Sequence, residues 1–254
     1  MKVAIITAAG ISARFNKDIP EEDKKLKIIY YEQDSQKTLL AGLVNKCAFA
    51  DKIVVVGGYK YDDLKTYIET VFDPATKDKI ILVKNDHFED LASGYSFYCG
   101  LKGAFESGDD IEEILFAEGD LDIDEASFRK VVKSGSSVLT YNHEPIYSNK
   151  AVVLYRNAEG KYKYAFNSSH GVLKIDDEFS VILNSGQIWK FDDIDALKNA
   201  TVKFGNGSMT GTNLEIIGDY FDNVDPDSVS LIGFDRWTNC NTREDYRGIV
   251  KNYK

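Results

Sequence analysis

The feature that most constrains this chain is an alternation in its first 141 residues, where short, near-continuous apolar runs are separated by segments of helical spacing. Residues 3–7, 53–56, 80–83, 114–116 and 137–141 read as strands, and residues 38–49, 63–71, 96–105 and 124–132 as helices. In the first helix the spacing is carried by Leu39, Leu40, Leu43, Val44 and Cys47. Strands without polar alternation are buried on both faces, which requires helices above and below a mostly parallel sheet. On such a sheet ligands bind at the carboxyl ends of the strands. From about residue 142 the pattern changes: residues 151–156 and 161–166 flank Asn157-Ala158-Glu159-Gly160 as a hairpin, and 172–175, 179–183 and 187–191 read as further short strands. A helix at 214–221, a strand at 230–234 and a helix at 242–251 restore the alternation. The expectation is an α/β fold, one three-layer domain with a mixed, mostly parallel sheet. It divides into residues 1–141, a β-rich insertion at about 142–192 that walls one side of a cleft, and a closing part at 193–254.

Charge and cysteine usage narrow the function classes. The 254 residues carry 31 Lys+Arg against 41 Asp+Glu, a formal net charge of −10, so non-specific binding to nucleic acid or an anionic membrane is disfavoured. A phosphorylated ligand stays open, because a local cationic cluster or a bound metal reverses the potential inside a cleft. Cys47, Cys99 and Cys240 form no C-x-x-C pair, which points to a reducing compartment. The apolar N-terminal run is too short for a leader, and nothing approaches the ~20 apolar residues of a bilayer span. A soluble, cytoplasmic protein is expected. His87, His143 and His170 are too dispersed to form a motif.

Three segments can hold chemistry. Ala8-Ala9-Gly10-Ile11-Ser12-Ala13-Arg14-Phe15 follows the first strand; its small residues admit a ligand close to backbone N–H groups, and Arg14 supplies a cationic fork. Lys24, Lys25 and Lys27 follow. Neither G-x-G-x-x-G nor the P-loop pattern is present, so the usual dinucleotide and P-loop readings fail. Phe116-Ala117-Glu118-Gly119-Asp120-Leu121-Asp122-Ile123-Asp124 delivers carboxylates at a strand's carboxyl end, a setting that suits Mg²⁺; Asp124 reads as the cap of the next helix. In Trp237-Thr238-Asn239-Cys240-Asn241-Thr242-Arg243-Glu244-Asp245, Thr242 and Asp245 fit a capping box, which leaves Asn241 as a potential oxygen ligand.

Together these segments resemble the GT-A-like nucleotidyltransferase superfamily, whose members include the cytidylyltransferases for phosphocholine and methylerythritol phosphate and the molybdenum-cofactor guanylyltransferase. The opening turn resembles A-A-G-x-S-x-R-F. Val54-Val55-Val56-Gly57-Gly58-Tyr59 resembles V-V-x-G-Y, and Ser96-Phe97-Tyr98-Cys99-Gly100-Leu101 resembles S-x-x-x-G-L. Glu118-Gly119-Asp120 resembles the metal-bearing G-D, and residues 239–245 the closing N-x-N-T-P-E-D. The resemblance implies a Rossmann-like, GT-A-like domain and an Mg²⁺-dependent enzyme that moves a nucleotidyl group, most directly CMP from CTP, onto a small phosphorylated or phosphonate acceptor. Cell-surface precursor synthesis is one such setting, and a monomer or homodimer the expected form.

By the same resemblance, Ala8, Ala9, Gly10 and Ser12 cradle the nucleotide, and Arg14 with Lys24 or Lys25 meets the triphosphate, Lys25 being the catalytic choice. Asn85, Gly94 and Ser96 contact base or ribose. Asp120 binds Mg²⁺ with Asn241, unless the second contact comes from elsewhere. Ser185-Gly186-Gln187-Ile188-Trp189 resembles a strand of phosphocholine-type relatives. Tyr147 and Trp189 are therefore candidate acceptor contacts, against the alternative that the insertion's aromatics are its core. Two rival functions remain: a glycosyltransferase using Asp120-Leu121-Asp122 as a D-x-D, and a non-catalytic nucleotide-binding module.

Overall fold

The apolar runs of the first half pair as anticipated in the computed structural model, which describes residues 1–167, 169 and 171–253. His170 lies outside the described residues. β1 (Lys2–Ala8), β2 (Lys52–Gly57), β3 (Ile80–Lys84) and β4 (Glu113–Glu118) are parallel, with Ile5 opposite Val54 on one side and Phe116 on the other. β9 (Phe179–Phe191) inserts antiparallel between β4 and β6 (Val138–Asn142), and β10 (Ser230–Phe234) lies parallel to β6 at the edge. The order is β10-β6-β9-β4-β1-β2-β3. This is a mixed, mostly parallel sheet.

Alternate side chains of each central strand feed two separate cores. Ala4, Ile6, Ile53 and Val55 pack under α1 (Leu39–Lys46), α2 (Tyr61–Val71), α5 (Glu125–Lys133) and α8 (Arg243–Val250). Val3, Ile5, Val54 and Val56 pack under α4 (Ser93–Glu106), α6 (Ile194–Gly205) and α7 (Asn213–Asn223). Both faces being covered explains why these strands lack polar alternation. A one-turn helix α3 (Pro74–Lys77) precedes β3. Among the described residues, no helix is long and apolar enough to cross a membrane.

The insertion differs from the expectation in detail. β7 (Val153–Asn157) and β8 (Tyr162–Ala165) form the anticipated hairpin. Residues 172–175 form no strand: Val172 is 77% exposed, and a run of four residues of which none is fully buried gains little from pairing. Segments 179–183 and 187–191 are one continuous strand whose first half pairs with β7 and whose second half enters the main sheet. Gly186 does not break it, because the glycine sits in a bulge of β9 against β6. α6 has no counterpart in the alternation read from the sequence; it buries Leu197, Ala200, Thr201 and Phe204, spaced three and four apart. β5 (Leu121–Ile123) and β11 (Trp237–Asn239) add a short antiparallel ribbon that ties the closing segment to the end of β4.

Candidate functional site

At the carboxyl ends of β1 and β4 lies a cleft of about 910 Å³. Its first wall is the long connection between β1 and α1, and the path of that loop is set by one buried amide. Asn16 donates from Nδ2 to the carbonyls of Ser12 (3.2 Å) and Lys25 (2.8 Å), and its Oδ1 accepts from the Lys25 amide (3.0 Å). Ser12 adopts a left-handed backbone (φ 56°), and its Oγ accepts from the Lys27 amide at 3.2 Å. Phe15 anchors the loop against Tyr30, with the Arg243 guanidinium over both rings. Leu26 and Ile28 are buried, so the chain is pinned on either side of Lys27. Arg14 stands exposed on the cleft wall, while Lys27 enters the cleft and donates from Nζ to Asp120 Oδ2 at 3.0 Å.

Lys24 and Lys25 do not enter the cleft. Lys24 pairs with Glu21 on the outer surface at 2.5 Å, and Lys25 is exposed, with its backbone committed to Asn16. The lysine that this loop sends into the cleft is therefore Lys27, in place of the Lys24 or Lys25 expected from the sequence. Lys27→Ala is expected to lower nucleotide-dependent turnover by about a hundredfold, the effect of losing one fixed cation from such a site. Lys24→Ala and Lys25→Ala should behave like the parent protein in the same steady-state assay.

The second wall is the end of β4. The Gly119 amide donates to the Thr7 carbonyl at 3.0 Å, and a Cβ at Gly119 would lie 2.2 Å from that oxygen, so only glycine permits the approach of β4 to β1. Glu118 accepts from Asn213 Nδ2 at 2.8 Å and Gln187 Nε2 at 3.2 Å. Desolvation and the neighbouring Asp120 carboxylate push its carboxyl up to about 8. Asp122 turns away into the protein, 2% exposed, and is paired with Arg236. Asp124 caps α5 by accepting from Ser127 N at 2.7 Å, as read from the sequence. Asp120-Leu121-Asp122 thus delivers one carboxylate to the cleft, and a glycosyltransferase D-x-D is not assembled.

The third wall is the segment after β11. The Cys240 amide donates to the Asp120 carbonyl at 2.7 Å, and the Cys240 side chain is buried in the core. Its neighbours Asn239 and Asn241 consequently face the cleft. Asp245 accepts from Asn241 N (2.9 Å) and Thr242 N (2.8 Å), while Thr242 Oγ1 accepts from Asp245 N; this is the anticipated capping box. Asp120 Oδ1, Asn239 Oδ1 and Asn241 Oδ1 are buried without a hydrogen-bond partner. Three hard oxygens lining one cleft, one of them from a carboxylate, are a donor set that would suit a small divalent cation.

These features establish the cleft independently of any relative. Residues 23–253 match the model of a family described as a domain of unknown function, DUF6564. The chain belongs to the DUF6564 family. No curated protein matches it in sequence. Among solved structures it is similar to the inositol-1-phosphate CTP transferase from T. maritima, at 17% identity and a TM-score of 0.66, covering 100% of this chain and 97% of that one. It is also similar to the CTP:phosphocholine cytidylyltransferase from Streptococcus pneumoniae, at 15% identity and a TM-score of 0.61, covering 100% and 99%. At such identities the likeness is one of fold.

In this DUF6564 chain Ala8, Ala9, Gly10, Ser12, Arg14, Ser96, Asp120, Tyr147 and Asn241 all line the cleft. Asn85 lies behind it and donates from Nδ2 to Ser96 Oγ at 2.9 Å, orienting that hydroxyl without facing the cleft. Gly94 is packed under the Gly211 carbonyl, where a Cβ would come within 2.4 Å; it serves the α4–α7 junction and does not face ligand. Trp189 is not an acceptor contact either. It is fully buried, stacked on Phe116, and its indole donates to Tyr164 Oη at 2.6 Å. His87 and His143 are exposed, His87 beside Asp90 at 3.0 Å. The cleft also holds Lys27, Glu118, Gln187, Asn213 and Asn239, which the sequence reading did not assign. Lys27 had a usable signal, a lysine between two apolar residues, whereas Gln187 and Asn213 come from distant segments.

Proposed function

We propose that this protein is a nucleotidyltransferase, most directly a cytidylyltransferase that moves CMP from CTP to a small phosphorylated or phosphonate acceptor. The observation that carries the reading is the set of unpartnered oxygens on Asp120, Asn239 and Asn241, placed in one cleft with Lys27 and the Ala8–Arg14 turn. Asp120, Asn241 and Asn239 would hold Mg²⁺. When bound, the metal would draw charge from phosphate oxygens as a Lewis acid.

The remaining work belongs to the chain. Backbone N–H groups of the small-residue turn after β1 suit phosphate oxygens. Arg14 and Lys27 neutralise the triphosphate, and Lys27, with one of its three N–H donors on Asp120, is held in place before substrate arrives. Ser96, oriented by Asn85, offers its hydroxyl to the nucleoside. An acceptor phosphate oxygen forms a bond to the α-phosphorus, the bond from that phosphorus to the bridging β-phosphate oxygen breaks, and its electron pair leaves with pyrophosphate. The acceptor is already ionised, so no general base is required, and positioning with charge neutralisation accounts for the catalysis.

Pyrophosphate release measured for four nucleoside triphosphates with Mg²⁺, against a panel of phosphate esters and phosphonates, tests this. The expected result is acceptor-dependent release, strongest with CTP. Nucleotide binding without release from any acceptor would leave a non-catalytic module in its place.

A further inference from the structure

The strand β9 carries a distortion whose result is one side chain in the cleft. Opposite β6, Ser185 pairs with Tyr141 and Trp189 with Leu139, so β9 fits two extra residues into that span. Within the bulge Gln187 takes a left-handed backbone (φ 55°), which is costly for a residue with a side chain. Three side chains hold it there. Ser185 Oγ accepts from Gln187 N at 3.1 Å; Thr140 Oγ1 donates to the Ile188 carbonyl at 2.6 Å and accepts from the Ile188 amide at 3.2 Å. Trp237 donates its indole N–H to the Gly186 carbonyl at 2.9 Å. At Gly186 a Cβ would lie 2.6 Å from Phe234 and from Thr140, so the bulge closes only around glycine. Strain maintained by this many contacts marks a functional position.

What the bulge delivers is the Gln187 amide, donating from Nε2 to Glu118 Oε2 at 3.2 Å. From the other side Asn213 donates to Glu118 Oε1 at 2.8 Å, and Ser93 fixes Asn213 by donating to its Oδ1 at 3.2 Å. Asn184 lines the same flank, held by Asn142 at 3.1 Å. Each Glu118 oxygen has one amide donor and keeps further acceptor capacity. This floor of neutral amides around one buried carboxyl group is matched by hydroxyl groups. Gln187 stands on β9 and Glu118 at the end of β4, whereas the Ala8–Arg14 turn follows β1, so the floor occupies the side of the cleft that the proposed triphosphate contacts leave for the acceptor. A quaternary ammonium group instead needs open aromatic faces. Of the two aromatics read from the sequence as acceptor contacts, Trp189 is buried, and the Tyr147 ring already carries the Lys150 ammonium 4.4 Å from its centroid, which repels a second cation.

We propose that Gln187, with Glu118 and Asn213, is the specificity-determining floor for the acceptor, and that the acceptor is a hydroxyl-bearing phosphate ester of the polyol or sugar class. This rests on the nucleotidyltransferase reading above. The test is pyrophosphate release from CTP and Mg²⁺ by the wild-type protein with glycerol 3-phosphate, myo-inositol 1-phosphate and glucose 1-phosphate, against phosphocholine and phosphoethanolamine. The best polyol phosphate should exceed both ammonium esters in kcat/KM by about tenfold or more, as expected of a site built to hydrogen-bond hydroxyls. Gln187→Asn keeps a residue that tolerates the left-handed backbone and withdraws the amide by one methylene. It should raise KM for the preferred polyol phosphate by about tenfold, at unchanged KM for CTP.

Preference for phosphocholine or phosphoethanolamine overturns this inference and leaves nucleotidyl transfer intact. So does a Gln187→Asn variant that raises KM for CTP alone. Absence of release from every pair overturns the nucleotidyltransferase reading and this one with it. The wild-type panel decides the acceptor class even if Gln187→Asn fails to fold, which its melting temperature reports.

Discussion

Asp120→Ala is expected to lower Mg²⁺-dependent turnover by about a thousandfold, the scale of ~4 kcal/mol of transition-state stabilisation lost with a metal-binding carboxylate. Asp120 brings a negative charge to the three unpartnered cleft oxygens, and its other oxygen orients Lys27. Removing it therefore weakens the cation site and releases the lysine together. Asp120→Asn keeps an oxygen and loses the charge, so its rate should fall between the two and recover in part at raised Mg²⁺. Neither variant should unfold the protein. The Lys27–Asp120 pair is partly exposed, with side chains 17% and 24% accessible, and such pairs contribute ~1 kcal/mol or less to stability. Steady-state rates over a magnesium titration, read beside a thermal melt, check both halves. Near-normal rates for Asp120→Ala would remove the cation site from this cleft.

The same cleft shows which information local sequence carries. The sheet was legible because β1, β2 and β4 are buried on both faces and must be apolar along their length, a condition that shows in the run itself. Asp124 and Thr242–Asp245 were legible because a cap is a contact within one helical turn. Lys27 carried a local signal in its apolar neighbours Leu26 and Ile28, but its entry into the cleft also depends on a left-handed Ser12 and a buried Asn16 bridging nine residues. Asp122 read as part of a solvated acidic loop, but it is buried against Arg236, more than a hundred residues away. Gln187 was hidden for a related reason: the bulge that aims it needs Thr140 and Trp237 from two other segments. Cleft side chains set by strand ends showed in the sequence, and those set by long-range hydrogen bonds did not.

Trp189→Ala separates a core role from a substrate role, and the expected effect is on stability: a loss of ~3–5 kcal/mol, typical of truncating a fully buried tryptophan. For a chain of this size that corresponds to a fall in Tm of roughly 6–20 °C. The reason is the aromatic stack running through the second core. Trp189 lies on Phe116 with ring centroids 5.3 Å apart and planes 14° from parallel, and Phe116 lies on Phe97 at 4.0 Å and 15°. Alanine would leave a void between β9 and β4, strands whose carboxyl and bulged ends form the cleft. Trp189→Phe keeps the stack and removes the N–H donated to Tyr164, so it should cost only ~1 kcal/mol. Had Trp189 bound the acceptor head group, either change would raise the acceptor KM in proportion to the lost ring face. Buried as it is, the KM measured below the melting transition should stay at the parent value while Tm falls in the order wild type, Trp189→Phe, Trp189→Ala. A raised acceptor KM with an unchanged Tm would reverse the assignment.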